Sequence, residues 1–151
     1  MLKGIDPVLS PELLKVLCEM GHGDEVVIAD ANFTAESLGR GKIVLRLPGV
    51  DMRTACAAVL SVFPLDSFVD QPVTYMQVSD TPTGYRSALQ RRVIARLDEA
   101  GWARPEQCEA MERFAFYARV QKAFAIVHTG ELQPYANFIF KKGVIADALR
   151  G

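Results

Sequence analysis

The sequence has few residues that could bind a metal or form disulfides: two histidines and three cysteines in 151 residues. Cys18, Cys56 and Cys108 are far apart and form no Cys-x-x-Cys pair, and together with His22 and His128 they lack the spacing of any common zinc site. An odd number of scattered cysteines also argues against a disulfide framework. We therefore expect buried, reduced thiols in a cytoplasmic protein that needs no metal.

The chain also lacks a strong charge of either sign and a long apolar run. Its formal net charge is −1 and no basic patch stands out, which argues against nucleic acid as a partner. No apolar run approaches the roughly 20 residues that a membrane-spanning helix needs. The opening segment, residues 1–7, lacks the apolar stretch of a signal peptide. These features predict a cytoplasmic protein that does not enter a membrane.

Half of the residues are hydrophobic, which favours a well-buried core, and no linker or repeat interrupts the chain. We predict one domain over residues 1–151, with helices at residues 11–20, 34–38, 51–63, 83–100, from 105 onward, and 113–123. Strands are predicted at residues 25–29, 42–47, 73–78, 124–129 and 137–141. Helices that alternate with continuous apolar strands predict an α/β fold, a three-layer α/β/α sandwich around a buried sheet. The last two strands could pair as antiparallel neighbours, which would make the sheet mixed.

Two ionisable side chains flank the first predicted strand. His22 lies between two glycines, where the backbone bends freely and an imidazole can project into a cleft and exchange a proton. The alternative is a loop histidine that only hydrogen-bonds the backbone. Asp30 ends the strand, at a position where α/β folds often bind ligands, and it could equally cap the segment that begins at Ala31.

Two further groups of residues could bind a polar ligand. Arg113 precedes an aromatic run that includes Tyr117; guanidinium groups bind hydroxyls, and aromatic faces pack against the C–H side of a sugar ring. The same run is also typical of an aromatic core stripe with one surface arginine. Tyr135, Ala136 and Asn137 precede the last strand and offer a phenol, an amide and backbone groups to a ligand, although Asn137 could simply stabilise the turn.

Several segments, taken in order, resemble the L-fucose mutarotase and ribose pyranase family. The resemblance covers nearly the whole chain, and only residues 38–50 and 79–108 match poorly. The matching segments are residues 2–7, 10–14, 20–25, 29–33, 113–117, 121–125, 129–131, 135–137 and 141–144.

The resemblance implies an isomerase that interconverts the anomers of a free aldose such as L-fucose without a cofactor. It implies that His22 is the proton donor and that Tyr117 is a secondary candidate. It implies a sugar-binding set made of Asp30, Arg113, Tyr135, Ala136 and Asn137. It also implies a ring-shaped homo-oligomer, often a decamer, with sites near subunit boundaries.

Three other readings of the sequence stay open. The segments Gly-His-Gly-Asp and Arg-Phe-Ala-Phe-Tyr favour the fucose branch, whereas Pro134 to Asn137 is also similar to the ribose branch, whose members interconvert pyranose and furanose forms. A sugar-binding module without turnover is a third reading, and a purely structural ring protein is a fourth.

The geometry of the first strand limits how His22 and Asp30 can act together. A straight strand over residues 25–29 would separate its two ends by about 13 Å. The two side chains could then meet only if the glycine loop folds back, or they serve sites in different subunits.

Overall fold

The computed structural model describes residues 1–146, and the last five residues of the predicted domain lie outside this range. Six strands form one sheet in the order β2-β5-β1-β6-β3-β4. The strands are β1 (Glu25–Ala29), β2 (Ile43–Leu47), β3 (Val73–Met76), β4 (Cys108–Met111), β5 (Ala125–Thr129) and β6 (Phe138–Lys141). The helices are α1 (Pro11–Glu19), α2 (Ala35–Leu38), α3 (Met52–Leu60), α4 (Ala88–Glu99) and α5 (Arg113–Val120), with a 3₁₀ turn at Pro105–Gln107.

The sheet is mixed, as predicted, but the last two strands are not neighbours. Strand β1 lies between β5 and β6, parallel to the first and antiparallel to the second. Strand β6 also pairs antiparallel with β3, so it alone runs against the other five. The loop of residues 130–137 therefore crosses the end of β1 instead of making a hairpin, because β1 lies between β5 and β6 and forms backbone hydrogen bonds with both.

Helices cover both faces of the sheet, which confirms the predicted three-layer sandwich. One face packs against α1, α3 and α4 through a large cluster in which Leu13, Val59 and Leu97 are fully buried. The other face packs against α2 and α5, where Phe116 and Val120 are fully buried. Because both faces are covered, the central strands consist almost entirely of buried residues.

Local capping explains where several helices begin. The Ser10 hydroxyl accepts a hydrogen bond from the Leu13 N–H at 3.2 Å, with proline at the first helical position. The Asp51 carboxylate accepts from the Thr54 N–H at 2.8 Å and starts α3 as predicted.

Three sequence predictions were wrong in detail. The helix predicted from residue 83 begins only at Ala88, after its cap Ser87. The helical segment predicted after Pro105 is one short turn followed by β4, an edge strand without β-branched or aromatic residues. Cys18 is exposed on α1, although Cys56 and Cys108 are buried.

The direction of the strands defines two ends of the sheet. We call the end at the carboxyl termini of β1, β3 and β5 the pocket end, and the opposite end the histidine end. Within the described part of the chain, no helix is both long enough and apolar enough to span a membrane.

Candidate functional site

A polar cavity of about 270 Å³ lies at the pocket end of the sheet. Pockets for drug-sized ligands measure about 300–1,000 Å³, so this one suits a molecule of monosaccharide size. Its walls come from the turn after β1, the end of β3, the first turns of α5 and the segment before β6. The lining residues are Asp30, Asn32, Phe33, Met76, Arg113, Tyr117, Pro134, Tyr135 and Asn137.

A larger cavity of about 560 Å³ lies under the N-terminal segment, but its character is different. Its walls are mainly apolar, with Asp6 and Lys15 as the charged side chains. It lacks the converging hydrogen-bonding groups of the smaller cavity, so the polar cavity is the better candidate for sugar chemistry.

Asp30 and Asn137 form a buried polar pair at the floor of the cavity. The Asn137 Nδ2 donates to Asp30 Oδ2 at 3.1 Å, and the Asp30 N–H donates to Asn137 Oδ1 at 2.8 Å. The Asn32 N–H donates to Asp30 Oδ1 at 3.0 Å. Burial raises the pKa of the Asp30 carboxyl above its ordinary 3.8, and these hydrogen bonds offset only part of that effect. A carboxylate with 4% exposure and a raised pKa is a suitable proton acceptor.

Arg113 and Tyr117 form a second pair, one helical turn apart on α5, at the rim of the cavity. The Arg113 Nε donates to the Tyr117 hydroxyl at 2.9 Å, and the guanidinium lies 5.4 Å from the centre of the Tyr117 ring. Since the phenol oxygen accepts this bond, its own proton is available to a ligand. The guanidinium keeps its remaining N–H groups for hydroxyls, so the pair offers several donors to the cavity.

Tyr135 lines the cavity together with Pro134 and Asn137. Tyr135 has a left-handed backbone with φ +60°, a conformation that costs energy for a residue with a side chain. Ala136 is completely buried in the core and does not line the cavity. Asp30, Arg113, Tyr135 and Asn137 thus line one cavity.

His22 lies at the histidine end of the sheet, away from that cavity. Its Nε2 is 3.1 Å from Asp66 Oδ1, and its side chain is 45% exposed. A carboxylate can only accept, so the proton of this bond is on Nε2, and Nδ1 is the nitrogen that remains for a ligand. The loop is tied down by the Gly23 N–H, which donates to the Lys142 carbonyl at 2.8 Å.

Asp66 is the hydrogen-bond partner of the His22 imidazole. Burial by itself raises the pKa of this carboxyl, but hydrogen bonds from the Phe68 N–H and from His22 outweigh burial and leave the pKa below its ordinary value. Asp66 is therefore ionised near neutral pH, and its carboxylate fixes the orientation of the His22 ring through the bond to Nε2.

The whole of β1 separates His22 from Asp30, because one precedes Glu25 and the other follows Ala29. The strand alone spans about 13 Å, and the flanking residues add to this distance. The glycine loop does not fold back, since it is bonded to Lys142 at the end of β6. One copy of the chain therefore does not bring the imidazole and the polar cavity together.

The sequence matches a model described as the RbsD / FucU transport protein family over residues 3–145. The chain belongs to this family. This RbsD/FucU protein is 44% identical over 144 residues to a protein of Actinobacillus pleuropneumoniae serotype 5b named L-fucose mutarotase, covering 95% of this chain and 97% of the other. It is also 44% identical over 147 residues to the fucose mutarotase of Mus musculus, covering 95% of both chains.

A solved structure of the fucose mutarotase from Streptococcus pneumoniae in complex with L-fucose has the same fold as this family member. The two chains are 39% identical with a TM-score of 0.84, and the match covers 95% of this chain and 99% of the other.

Sequence reasoning missed several residues that line the polar cavity of this RbsD/FucU protein or that contact His22. Asp66 follows a helix in an irregular segment, and nothing nearby in the sequence indicates that it pairs with a histidine 44 positions away. Met76 and Phe33 read as ordinary core residues, although both line the cavity. Position at the end of a strand, the signal that singled out Asp30, did not indicate Met76, because the predicted strand ran on to residue 78 whereas β3 ends at Met76.

Proposed function

We propose that this protein is a fucose mutarotase, an isomerase that interconverts the α and β anomers of L-fucose or a closely related free aldose. The observation that carries the proposal is the convergence of Asp30, Arg113, Tyr117 and Asn137 on one cavity of monosaccharide size. Relatives named fucose mutarotase, at 44% identity over nearly the full length, support the choice of sugar.

Mutarotation needs one proton delivered and one removed. The bond between C1 and the ring oxygen breaks as the ring oxygen gains a proton and the anomeric hydroxyl loses one, which leaves an open-chain aldehyde. Rotation about the C1–C2 bond presents the other face of the aldehyde, and the reverse proton transfers close the ring. The reaction is redox-neutral and needs only one acid and one base.

In this proposal His22 is the acid and Asp30 the base. Nδ1 of the His22 imidazolium donates to the ring oxygen, while the Asp66 carboxylate accepts from Nε2–H and orients the ring. Asp30, directly or through a water that it binds, accepts the proton of the anomeric hydroxyl, for which its raised pKa is suited. Arg113, Tyr117 and the wall of residues 135–137 hold the remaining hydroxyls.

A complete site then requires two copies of the chain. The histidine end of one copy must approach the pocket end of the next, since a monosaccharide cannot reach both ends of β1 in one chain. Exposed apolar side chains at both ends support such a contact: Phe68, 74% exposed, lies 5.5 Å from the His22 ring, and Phe114 and Leu132, 67% and 77% exposed, lie near the cavity in sequence.

A contact between two different surfaces generates either a closed ring or an open filament. We therefore propose a homo-oligomeric ring, of which a decamer built from two rings is one form.

Each subunit is one mutarotase domain across residues 1–151. Cys18, Cys56 and Cys108 are all free, which supports a cytoplasmic location.

The direct test is exchange between the anomeric protons of L-fucose, measured by NMR with and without the protein. We expect acceleration by the wild type and a loss of about 100-fold or more in His22→Ala, because general acid–base catalysis contributes about 10²- to 10⁴-fold. His22→Gln keeps a hydrogen-bond donor for Asp66 but cannot act as an acid at neutral pH, so it should be equally inactive while retaining its melting temperature.

Arg92→Ala is the matched control and should keep full activity, because Arg92 is exposed on α4 and belongs neither to the polar cavity nor to the His22–Asp66 pair. Full activity of His22→Ala would exclude His22 as the acid. Acceleration of pyranose–furanose exchange of D-ribose, but not of L-fucose anomerisation, would make the protein a pyranase. Saturable fucose binding without acceleration would make it a binding module.

A further inference from the structure

Gln90 is a fully buried amide on the inner face of α4. A buried polar side chain is costly unless each of its groups is hydrogen-bonded. The Gln90 Oε1 accepts from the Ser87 N–H at 2.9 Å, where it completes the capping box of the helix. Its Nε2 donates to the Met76 carbonyl at 2.8 Å and to the Tyr135 carbonyl at 3.1 Å.

The chemistry of the three partners leaves only one orientation for this amide. Two carbonyl oxygens can bond only to the NH₂ group, and the Ser87 N–H can bond only to the oxygen. To cap α4, Gln90 would need only its side-chain oxygen, which accepts from the Ser87 N–H. The NH₂ group instead joins two backbone segments that are 59 residues apart, Met76 and Tyr135.

Both of those segments form walls of the polar cavity. Met76 and Tyr135 line it, and the Met76 N–H donates to the Asn137 carbonyl at 3.1 Å. Asn137 in turn holds Asp30 through two hydrogen bonds. Gln90 therefore lies behind the cavity at the start of a chain of bonds that leads to its carboxylate.

Tyr135 is the residue that most needs such a support. Its φ of +60° is a conformation that a residue with a side chain adopts only when its surroundings enforce it. The bond from Gln90 to the Tyr135 carbonyl fixes the plane of the peptide between Tyr135 and Ala136. The segment continues from there to Asn137, whose carbonyl accepts from the Met76 N–H. Without the bond from Gln90, the segment can relax to an ordinary backbone conformation.

We propose that Gln90 is a positioning residue for sugar recognition, which holds residues 135–137 in the binding conformation from behind the cavity. This inference rests on the proposed function, since it deepens the role of the same cavity. Gln90 touches no reacting atom, and the acid His22 lies at the other end of the sheet. The base Asp30 keeps its hydrogen bond from the Asn32 N–H, which does not depend on Gln90. Loss of the Gln90 amide should therefore weaken binding of the sugar and leave the proton-transfer step nearly intact.

The test compares Gln90→Met with Ser87→Ala in L-fucose anomer exchange at varied sugar concentration. Methionine has nearly the same length and suits the core, but it cannot donate to either carbonyl. Ser87→Ala removes the hydroxyl that caps α4 and leaves both Nε2 bonds in place. Both variants should melt at a lower temperature than the wild type. Only Gln90→Met should raise the KM for L-fucose, by about ten-fold, with kcat within about two-fold of the wild type.

A second variant covers the case in which Gln90→Met does not fold. Gln90→Glu keeps an acceptor for the Ser87 N–H, but the buried carboxyl in its neutral form has only one proton to donate, so one of the two carbonyls loses its bond; this variant should also raise KM more than it changes kcat.

Equal KM values in the Gln90 variants and in Ser87→Ala would overturn the positioning role, as would a fall in kcat at unchanged KM. A wild type that fails to accelerate anomer exchange would instead overturn the proposed function, so the two failures are distinguishable.

Discussion

Two inactive variants should restore each other's activity if the site is shared between copies. His22→Ala removes the proposed acid but keeps an intact pocket end, and Asp30→Asn removes the proposed base but keeps an intact histidine end. Each variant alone should be nearly inactive. When subunits of the two variants assemble together, an active site forms wherever the pocket end of a His22→Ala subunit meets the histidine end of an Asp30→Asn subunit.

The expected recovery follows from the head-to-tail arrangement. In an equal, random mixture, half of all pocket ends carry Asp30 and half of all facing histidine ends carry His22. The intact combination therefore occurs in about one quarter of the sites, so the mixture should show about 25% of wild-type activity in a head-to-tail ring. A site contained within one chain would give no recovery, because every subunit carries one of the two defects.

The assay is co-expression of the two variants with different affinity tags, purification through both tags, and measurement of L-fucose anomer exchange by NMR. Size-exclusion chromatography with light scattering checks that mixed and wild-type assemblies have the same mass. Activity no higher than the mean of the separate variants would refute the shared site and, with it, the argument from the length of β1. Mixing the purified variants without subunit exchange is the control and should show no recovery.

Two other predictions test Asp30 in the polar cavity and the packing around Asp66 at the histidine end. Asp30 must be deprotonated to accept a proton, and burial raises its pKa above the ordinary 3.8, so kcat/KM should fall on the acidic side at a pH above 3.8. In a pH series of the exchange assay, the small residual activity of Asp30→Asn should lack this acidic fall. A Cβ at Gly143 would lie 2.5 Å from the Leu65 carbonyl oxygen and 2.8 Å from Asp66 Cα. Because this overlap strains the packed segment, Gly143→Ala should lower the free energy of unfolding by about 1–3 kcal/mol in urea titrations. The same overlap displaces Asp66, so the variant should also have a lower kcat. Gly41→Ala, where φ is +75° but a Cβ meets nothing within 4 Å, should cost about 1–2 kcal/mol and leave kcat unchanged.

Local signals in the sequence were sufficient for most of the fold. Ser10 with Pro11 and Asp51 indicate helix starts because a side-chain oxygen before a helix satisfies its free N–H groups, and both helices begin there. The apolar run of β1 indicates a strand covered on both faces, and it lies in the middle of the sheet. Strand β4 was missed because its residues have no strand preference, and pairing with β3 outweighs local preference.

The candidate site was only partly accessible from the sequence. Asp30 directly follows β1, and Asn137 directly precedes β6. These positions alone indicate a ligand at the end of the sheet. Asp66 and Gln90 carry no comparable signal, since an aspartate in an irregular segment and a glutamine in a helix usually face solvent. Their roles depend on partners 44 and 45 residues away, His22 and Tyr135.

The amino-acid order by itself determined the helices, the apolar strands and the residue types available for proton transfer, because capping, periodicity and side-chain chemistry act over a few neighbouring residues. The tertiary structure alone decided that β1 lies between β5 and β6, that Asp30 and Asn137 pair, and that His22 lies at the opposite end of the sheet from both. Strand order and direction arise from hydrogen bonds between segments distant in sequence and from the burial that they share, and no local pattern encodes which segments will meet.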